Sequence, residues 1–150
     1  MVFTGGTISM RIVPGRGAVP VRDASDLLGD VPQLGALADV EGEDFDRLPG
    51  PHWSAPRMMD LAKRLDQRLA GGEFIGAVVT HGTDTIEETA YCLDLALRTD
   101  RPVVLTGSMK TGDDPVFDGP ANLIAAVRCV SSPKARGLGV VVVMDETVHA

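Results

Sequence analysis

Two short segments carry most of the side chains able to do chemistry: Thr4-Gly5-Gly6-Thr7-Ile8 near the start, and Thr80-His81-Gly82-Thr83-Asp84-Thr85 in mid-chain. A threonine hydroxyl is a weak nucleophile until a base takes its proton. Thr7 follows a Gly-Gly pair, which lets the backbone turn sharply and approach a ligand without side-chain obstruction. Asp84 precedes a helical pattern, where the helix dipole favours its ionised form. An ionised carboxylate there could bind a substrate ammonium group or orient a base. Both segments follow apolar runs, and turns at the carboxyl ends of parallel strands face one crevice. Thr7, Thr83 and Asp84 are therefore expected to converge, with backbone N–H groups of the Gly5-Gly6 turn as candidates for an oxyanion contact.

Other reactive types point to structure. His81, at a strand-to-helix turn, reads as a hydrogen bonder before a general base. His52 and His149 have no carboxylate or cysteine at metal-ligand spacing, so no metal site is expected. Cys92 and Cys129 sit among Leu, Ala and Val in helical patterns and read as small buried hydrophobes. The phosphate-binding pattern G-x-G-x-x-G does not occur, and no nucleotide cofactor is expected.

The elements that must hold these residues follow from periodicity. Apolar runs at Val2-Phe3, Phe74 to Val79, Pro102 to Leu105 and Leu138 to Met144 read as strands, alternating with helical patterns. Ser54 is a candidate N-cap, followed by Met58, Leu61, Ala62, Leu65 and Leu69 at helical spacing until Gly71-Gly72. Met58 and Met59 both read as core filler. Two further helices are expected over Thr85 to Thr99, with Thr85 and Glu88 as a capping box, and over Pro120 to Ser131. Alternating strands and helices predict an α/β, three-layer, doubly wound and mostly parallel sheet. Ser9 to Asp23, broken by Pro14, Gly15, Gly17 and Pro20, reads as a mobile loop after the first motif. Residues Asp145 to Ala150 read as a tail with no further element.

Composition narrows the ligand. The 150 residues suffice for one core, with 44% hydrophobic and 23% charged residues. A net charge of −7 disfavours nucleic acid and anionic lipid. The acidic stretch Asp39, Glu41, Glu43, Asp44 and Asp46 reads as a solvated face beside an edge strand. No apolar run approaches the ~18 residues of a membrane span, and no export signal is visible, so a cytoplasmic location is the default expectation.

T-G-G-T-I with T-H-G-T-D-T, then Glu87-Glu88-Thr89-Ala90-Tyr91, P-V-V-L-T-G-S-M at Pro102 to Met109 and D-G-P-A-N-L at Asp118 to Leu123, resembles the bacterial-type L-asparaginase/glutaminase family. The motifs run in the family's order from Val2 to the end. The resemblance implies a Rossmann-like N-terminal domain over residues 1–150, incomplete at both ends, with a smaller C-terminal domain absent. It implies hydrolysis of a small amide amino acid such as asparagine to aspartate and ammonia, without cofactor. Thr7 would be the nucleophile, Thr83 would position the amide or the water, and Asp84 would hold the substrate amino group. Gly6 and Ser108 would contact the substrate, Ser108 mainly through its backbone. The complete protein would be a homo-oligomer, a dimer or tetramer.

Three departures from the family pattern stand out. The family's loop tyrosine has no counterpart, since the single tyrosine, Tyr91, lies in a helical pattern. Gly50 or Pro51 falls where a carboxylate-binding serine is usual. The family's catalytic lysine lies beyond a strand like Leu138 to Met144, and neither Lys110 nor Lys134 matches its place. Two other readings share the motifs: a binding domain without catalysis, and the amidohydrolase subunit of a tRNA-dependent amidotransferase, which normally has an extra N-terminal domain.

Overall fold

The computed structural model describes residues 1–150. In chain order it contains β1 (Val2–Gly5), a 3₁₀ turn at Thr7–Ser9, β2 (Met10–Val13), β3 (Gly17–Pro20), α1 (Ala24–Gly29) and β4 (Glu43–Leu48). There follow α2 (Ala55–Ala70), β5 (Ala77–Thr80), α3 (Ile86–Ala96), β6 (Val103–Thr106), α4 (Gly119–Val130), β7 (Val140–Met144) and β8 (Thr147–His149). Six strands form one sheet in the order β4-β1-β5-β6-β7-β8, parallel except for β8, and β2 and β3 form a separate antiparallel hairpin.

Period-2 alternation sorts the strand residues into two cores. Phe3, Val78, Val104, Val141 and Val143 face one side with Leu27 of α1 and Leu123 and Val127 of α4. Val2, Val79, Val103 and Leu105 face the other with Leu61 and Leu65 of α2 and Leu93 of α3. This is the expected three-layer α/β arrangement. Each fully buried Leu contributes about 1.5–3 kcal/mol by leaving water. The 3–4 spacing of α2 buries Met58, Leu61, Ala62, Leu65 and Leu69, as its sequence predicts, whereas Met59 turns outward and is exposed.

Strand order fixes the crevice. From β1 the chain moves outward to β4, then crosses back over β1 to β5. The reversal places the topological switch point between β1 and β5, the two strands that lead into the threonine motifs, at their carboxyl ends. Just below it, Thr4 Oγ1 donates to the Thr80 carbonyl at 2.6 Å, tying β1 to β5.

Several expectations are corrected. The Ser9 to Asp23 loop is mostly the β2–β3 hairpin: Pro14-Gly15 makes the turn, with Arg16 N–H donating to Val13 O at 2.9 Å and Gly15 at φ 74°. Proline then positive-φ glycine is a turn signature, and here it joins strands instead of ending structure. The tail holds β8, entered through Asp145 and Glu146 at φ 49° and 57°, a two-residue reversal that lacks the usual Asn-Gly signal. The acidic stretch contains β4 itself, and three of its five carboxylates are paired with α2: Glu43 with Arg64 at 2.5 Å, Glu41 with Arg68, and Asp46 with Arg57, while Asp44 pairs with Arg47 of β4. Cys92 and Cys129 are half-buried, and burial raises the Cys129 thiol pKa. No helix is long and apolar enough to cross a membrane.

Candidate active site at the β1 and β5 carboxyl ends

Backbone contact between glycines brings the two motifs together. A Cβ placed on Gly6 would lie 2.5 Å from the Gly82 nitrogen and 2.7 Å from the His81 carbonyl carbon. One on Gly82 would lie 2.6 Å from Gly50 Cα, and one on Gly107 would lie 2.5 Å from His81 O. The turns after β1, β4, β5 and β6 are therefore stacked main chain on main chain. Thr7 and Thr83 are the next residues after Gly6 and Gly82, so their side chains issue from adjoining backbone.

Hydrogen bonds lock these turns. Gly6 N–H donates to Leu48 O at 2.9 Å, which removes it as an oxyanion donor, contrary to the sequence expectation. Ser9 Oγ donates to Gly6 O at 2.8 Å, holding the Thr7–Ser9 turn against its own entry. Thr85 Oγ1 donates to Gly50 O at 2.8 Å, so the expected Thr85–Glu88 capping box does not form and the hydroxyl ties the β4 turn to the β5 turn. Ser54 occupies the N-cap position of α2 without a side-chain capping bond.

Around this frame most polar side chains are committed. Ser108 is buried and its hydroxyl donates to Lys110 O at 2.7 Å, leaving only backbone for a ligand. Asp118 accepts from Met109 N–H at 2.9 Å and Lys110 N–H at 3.0 Å. Buried Asn122 donates to Gly107 O at 3.0 Å and accepts from Asp145 N–H at 3.0 Å. The role of Asp118 and Asn122 in fastening the turn after β6 is not legible in composition or spacing, because it depends on bonds across the turn. By contrast, the hydroxyls of Thr7 and Thr83 and the carboxylate of Asp84 make no hydrogen bond within the chain. Thr7 and Thr83 are half-buried and Asp84 is exposed.

Asp84 lies against Gly50. A Cβ there would fall 3.0 Å from Asp84 Oδ2 and 3.1 Å from its Cβ, so a side chain at 50 would push the carboxylate from its place. His52 follows in the 3₁₀ turn Gly50–His52, where Gly50 is buried and Pro51 and His52 are exposed.

His81 is a structural group. It is buried, its ring centroid is 4.6 Å from that of Trp53, Nδ1 is 2.9 Å from Gly82 O and Nε2 is 3.1 Å from Thr89 Oγ1. A carbonyl only accepts, so Nδ1 carries the proton and Nε2 accepts from Thr89. Burial lowers its pKa from 6.5, against smaller opposing effects of the Gly82 carbonyl and the Glu88 charge. The folded state thus resists protonation of His81 while the unfolded state accepts it. Its contribution to stability is complete above about pH 6.5 and is lost as pH falls through the lowered value. The urea midpoint is expected to fall from about pH 7 to about pH 5 more steeply in the parent than in His81→Gln; equal slopes would show that His81 is not held neutral.

A cavity of about 890 Å³ touches Thr83 but runs between α3, the turn after β6 and the β7–β8 hairpin, without Thr7 or Asp84. Tyr91 lines it from α3, far along the chain from the hairpin where the family tyrosine would lie. The converging turns, not this cavity, bring the backbones that carry Thr7 and Thr83 together. No cluster of three or more His, Cys, Asp or Glu side chains is arranged to hold a metal ion.

The family model described as "Asparaginase, N-terminal" matches residues 1–150. The chain is 37% identical over 152 residues to "L-asparaginase 2" of Bacillus subtilis, covering 99% of this chain and 40% of that protein. It is 35% identical over 159 residues to "Glutaminase-asparaginase" of Pseudomonas fluorescens, covering 100% and 42%. The crystal structure of a probable cytoplasmic L-asparaginase from Campylobacter jejuni superposes with a TM-score of 0.88 at 35% identity, covering 98% of this chain and 44% of that one. The chain spans about two fifths of the length of these curated relatives.

Proposed function

The chain belongs to the asparaginase family, and from that premise we propose that it supplies the nucleophile and the amino-group site of an amidohydrolase acting on asparagine. The observation that carries the reading is the contrast at the switch point. The surrounding threonines, serine and asparagine are bonded into the frame, while Thr7, Thr83 and Asp84 keep their polar groups free beside the Gly6–Gly82 contact.

In the proposed reaction Thr7 Oγ1 attacks the side-chain amide carbon of asparagine, giving up its proton to a base. The C–N bond breaks, the leaving nitrogen takes a proton and departs as ammonia, and an aspartyl ester remains on Thr7. Water then attacks the ester, releases aspartate and restores the hydroxyl. Thr83 positions the amide and later the water. Asp84, kept in place by the bare Gly50 Cα, holds the substrate ammonium group. Gly6 allows close approach, and Ser108 offers backbone to the amide. The reaction needs no cofactor. We assign residues 1–150 to the N-terminal catalytic domain of a longer, homo-oligomeric protein.

One observation favours a second reading, a domain that binds the amino acid without turnover: no titratable side chain of the chain is hydrogen-bonded to Thr7. Hydroxylamine separates the two. It competes with water for an acyl-enzyme, so a protein working as proposed yields aspartyl hydroxamate together with ammonia. Calorimetric binding of asparagine with neither product would establish the binding domain in place of the hydrolase.

A further inference from the structure

The β2–β3 hairpin, which begins directly after the Thr7–Ser9 turn, projects from the sheet, with Arg11, Ile12 and most of Pro14 to Ala18 exposed. Beyond its own ladder and that turn, its hydrogen bonds run to one place, the loop between β6 and α4. Gly112 N–H donates to Met10 O at 3.1 Å. Ile12 N–H donates to Asp113 Oδ2 at 2.6 Å, and Arg11 Nη1 donates to Asp113 Oδ1 at 2.9 Å. A single carboxylate thus uses both oxygens on one strand of the hairpin, one on backbone and one on a cation. Hydrogen bonds to an ionised acceptor are about twice as strong as neutral ones. The Ile12 N–H first, and then Arg11, hold the Asp113 carboxyl below the usual range.

The same loop meets the foot of the hairpin. Arg22 is buried, with its guanidinium 5.9 Å from the Phe117 ring centroid and bonded to Asp26 O and Asp30. A Cβ on Gly112 would lie 3.1 Å from Arg22 Nη1. Arg22 N–H and Val21 N–H both donate to Ser9 O, at 3.0 and 3.1 Å, so the returning strand grips the turn that carries Thr7. The connection runs from the loop after Ser108, through Asp113 and the hairpin, to Ser9 and Thr7.

We propose that Asp113 is a positioning residue: its carboxylate latches the β2–β3 hairpin to the β6–α4 loop and so fixes the turn that presents Thr7. The catalytic consequence rests on the reading of Thr7 as nucleophile, but the latch itself does not. Charge alone would not specify this arrangement, because neighbouring Asp114 instead faces Lys110, at 3.7 Å. The Ile12 N–H and Arg11 together select position 113.

The test uses the full chain and needs no turnover. Amide hydrogen exchange is compared in the parent, Asp113→Ala, Asp113→Asn and Arg11→Gln, with the Thr7 methyl resonance followed by NMR. Asp113→Ala is expected to speed exchange at Ile12 and along Met10 to Val13 by about 5-fold or more, and to shift or broaden the Thr7 methyl. Val78 and Val104 amides should be unaffected. Asp113→Asn keeps an acceptor for Ile12 but loses the ion pair, and should fall between. Unchanged hairpin exchange overturns the latch. A freed hairpin with an unmoved Thr7 methyl overturns the positioning role, leaving a surface tether. If Asp113→Ala loosens the core amides as well, Arg11→Gln decides: faster hairpin exchange and a moved Thr7 methyl support the proposal, and parent-like values of either reject it.

Discussion

Thr7→Ala is expected to lower ammonia release from asparagine by about 10³-fold or more, with the melting temperature nearly unchanged. The two halves of this expectation come from the same feature. Thr7 Oγ1 makes no hydrogen bond within the chain and the residue is half-buried, so removing the hydroxyl leaves no buried partner unsatisfied and costs within about 0.5 kcal/mol of stability. Loss of a nucleophile, by contrast, forces direct attack by water, and the remaining binding groups recover only part of the acceleration. Asparagine affinity should be nearly retained, because the amino group is assigned to Asp84. The experiment needs a preparation in which the parent releases ammonia and forms hydroxamate. Ammonia release by Thr7→Ala at the parent rate would remove Thr7 from the chemistry. Equal loss of affinity and rate would place it in ground-state binding instead.

Gly6→Ala should cause a large loss of stability. Gly6 adopts φ 76° and ψ −178°, a region open essentially to glycine alone, and forcing an L-residue into it costs about 1–3 kcal/mol. The new Cβ would also stand 2.5 Å from the Gly82 nitrogen and 2.6 Å from its Cα, atoms of a packed main chain that cannot rotate away. Overpacking of this kind adds about 1–3 kcal/mol. The sum is about 2–6 kcal/mol, which for a domain of this size lowers the melting temperature by roughly 4–24 °C. Relief would have to come from parting the β1 and β5 turns, so residual folded protein should also lose amide turnover. A Gly6→Ala protein melting with the parent would show that the two turns are not in contact.

Some of this was readable in the chain before any fold was drawn. Helical spacing of Leu61, Leu65 and Leu69 put α2 on the core, and the unbroken apolar run Pro102 to Leu105 marked a buried strand, because these patterns depend only on local sequence. The glycines before Thr7 and Thr83 announced turns, and the motifs carried the family resemblance that the comparisons then matched from residue 1 to residue 150. The hairpin is not legible locally, because its proline and glycine fit a break as well as a turn, and the two are told apart only by whether the flanking strands pair. β8 is not legible either, because Asp145-Glu146 lacks the usual hairpin-turn residues and is held partly by Asn122.

By itself, then, the sequence determined the layer architecture, the turns that end β1 and β5, and the residue types offered there. Only the tertiary structure decided which of those groups are free. It bonded Thr4, Thr85 and Ser108 into the frame, took Gly6 N–H for Leu48 and buried His81 as a neutral hydrogen bonder. The physical reason is that periodicity and propensity are local, whereas satisfaction of a polar group depends on partners far along the chain, such as Gly50 for Thr85 and Asp113 for Ile12.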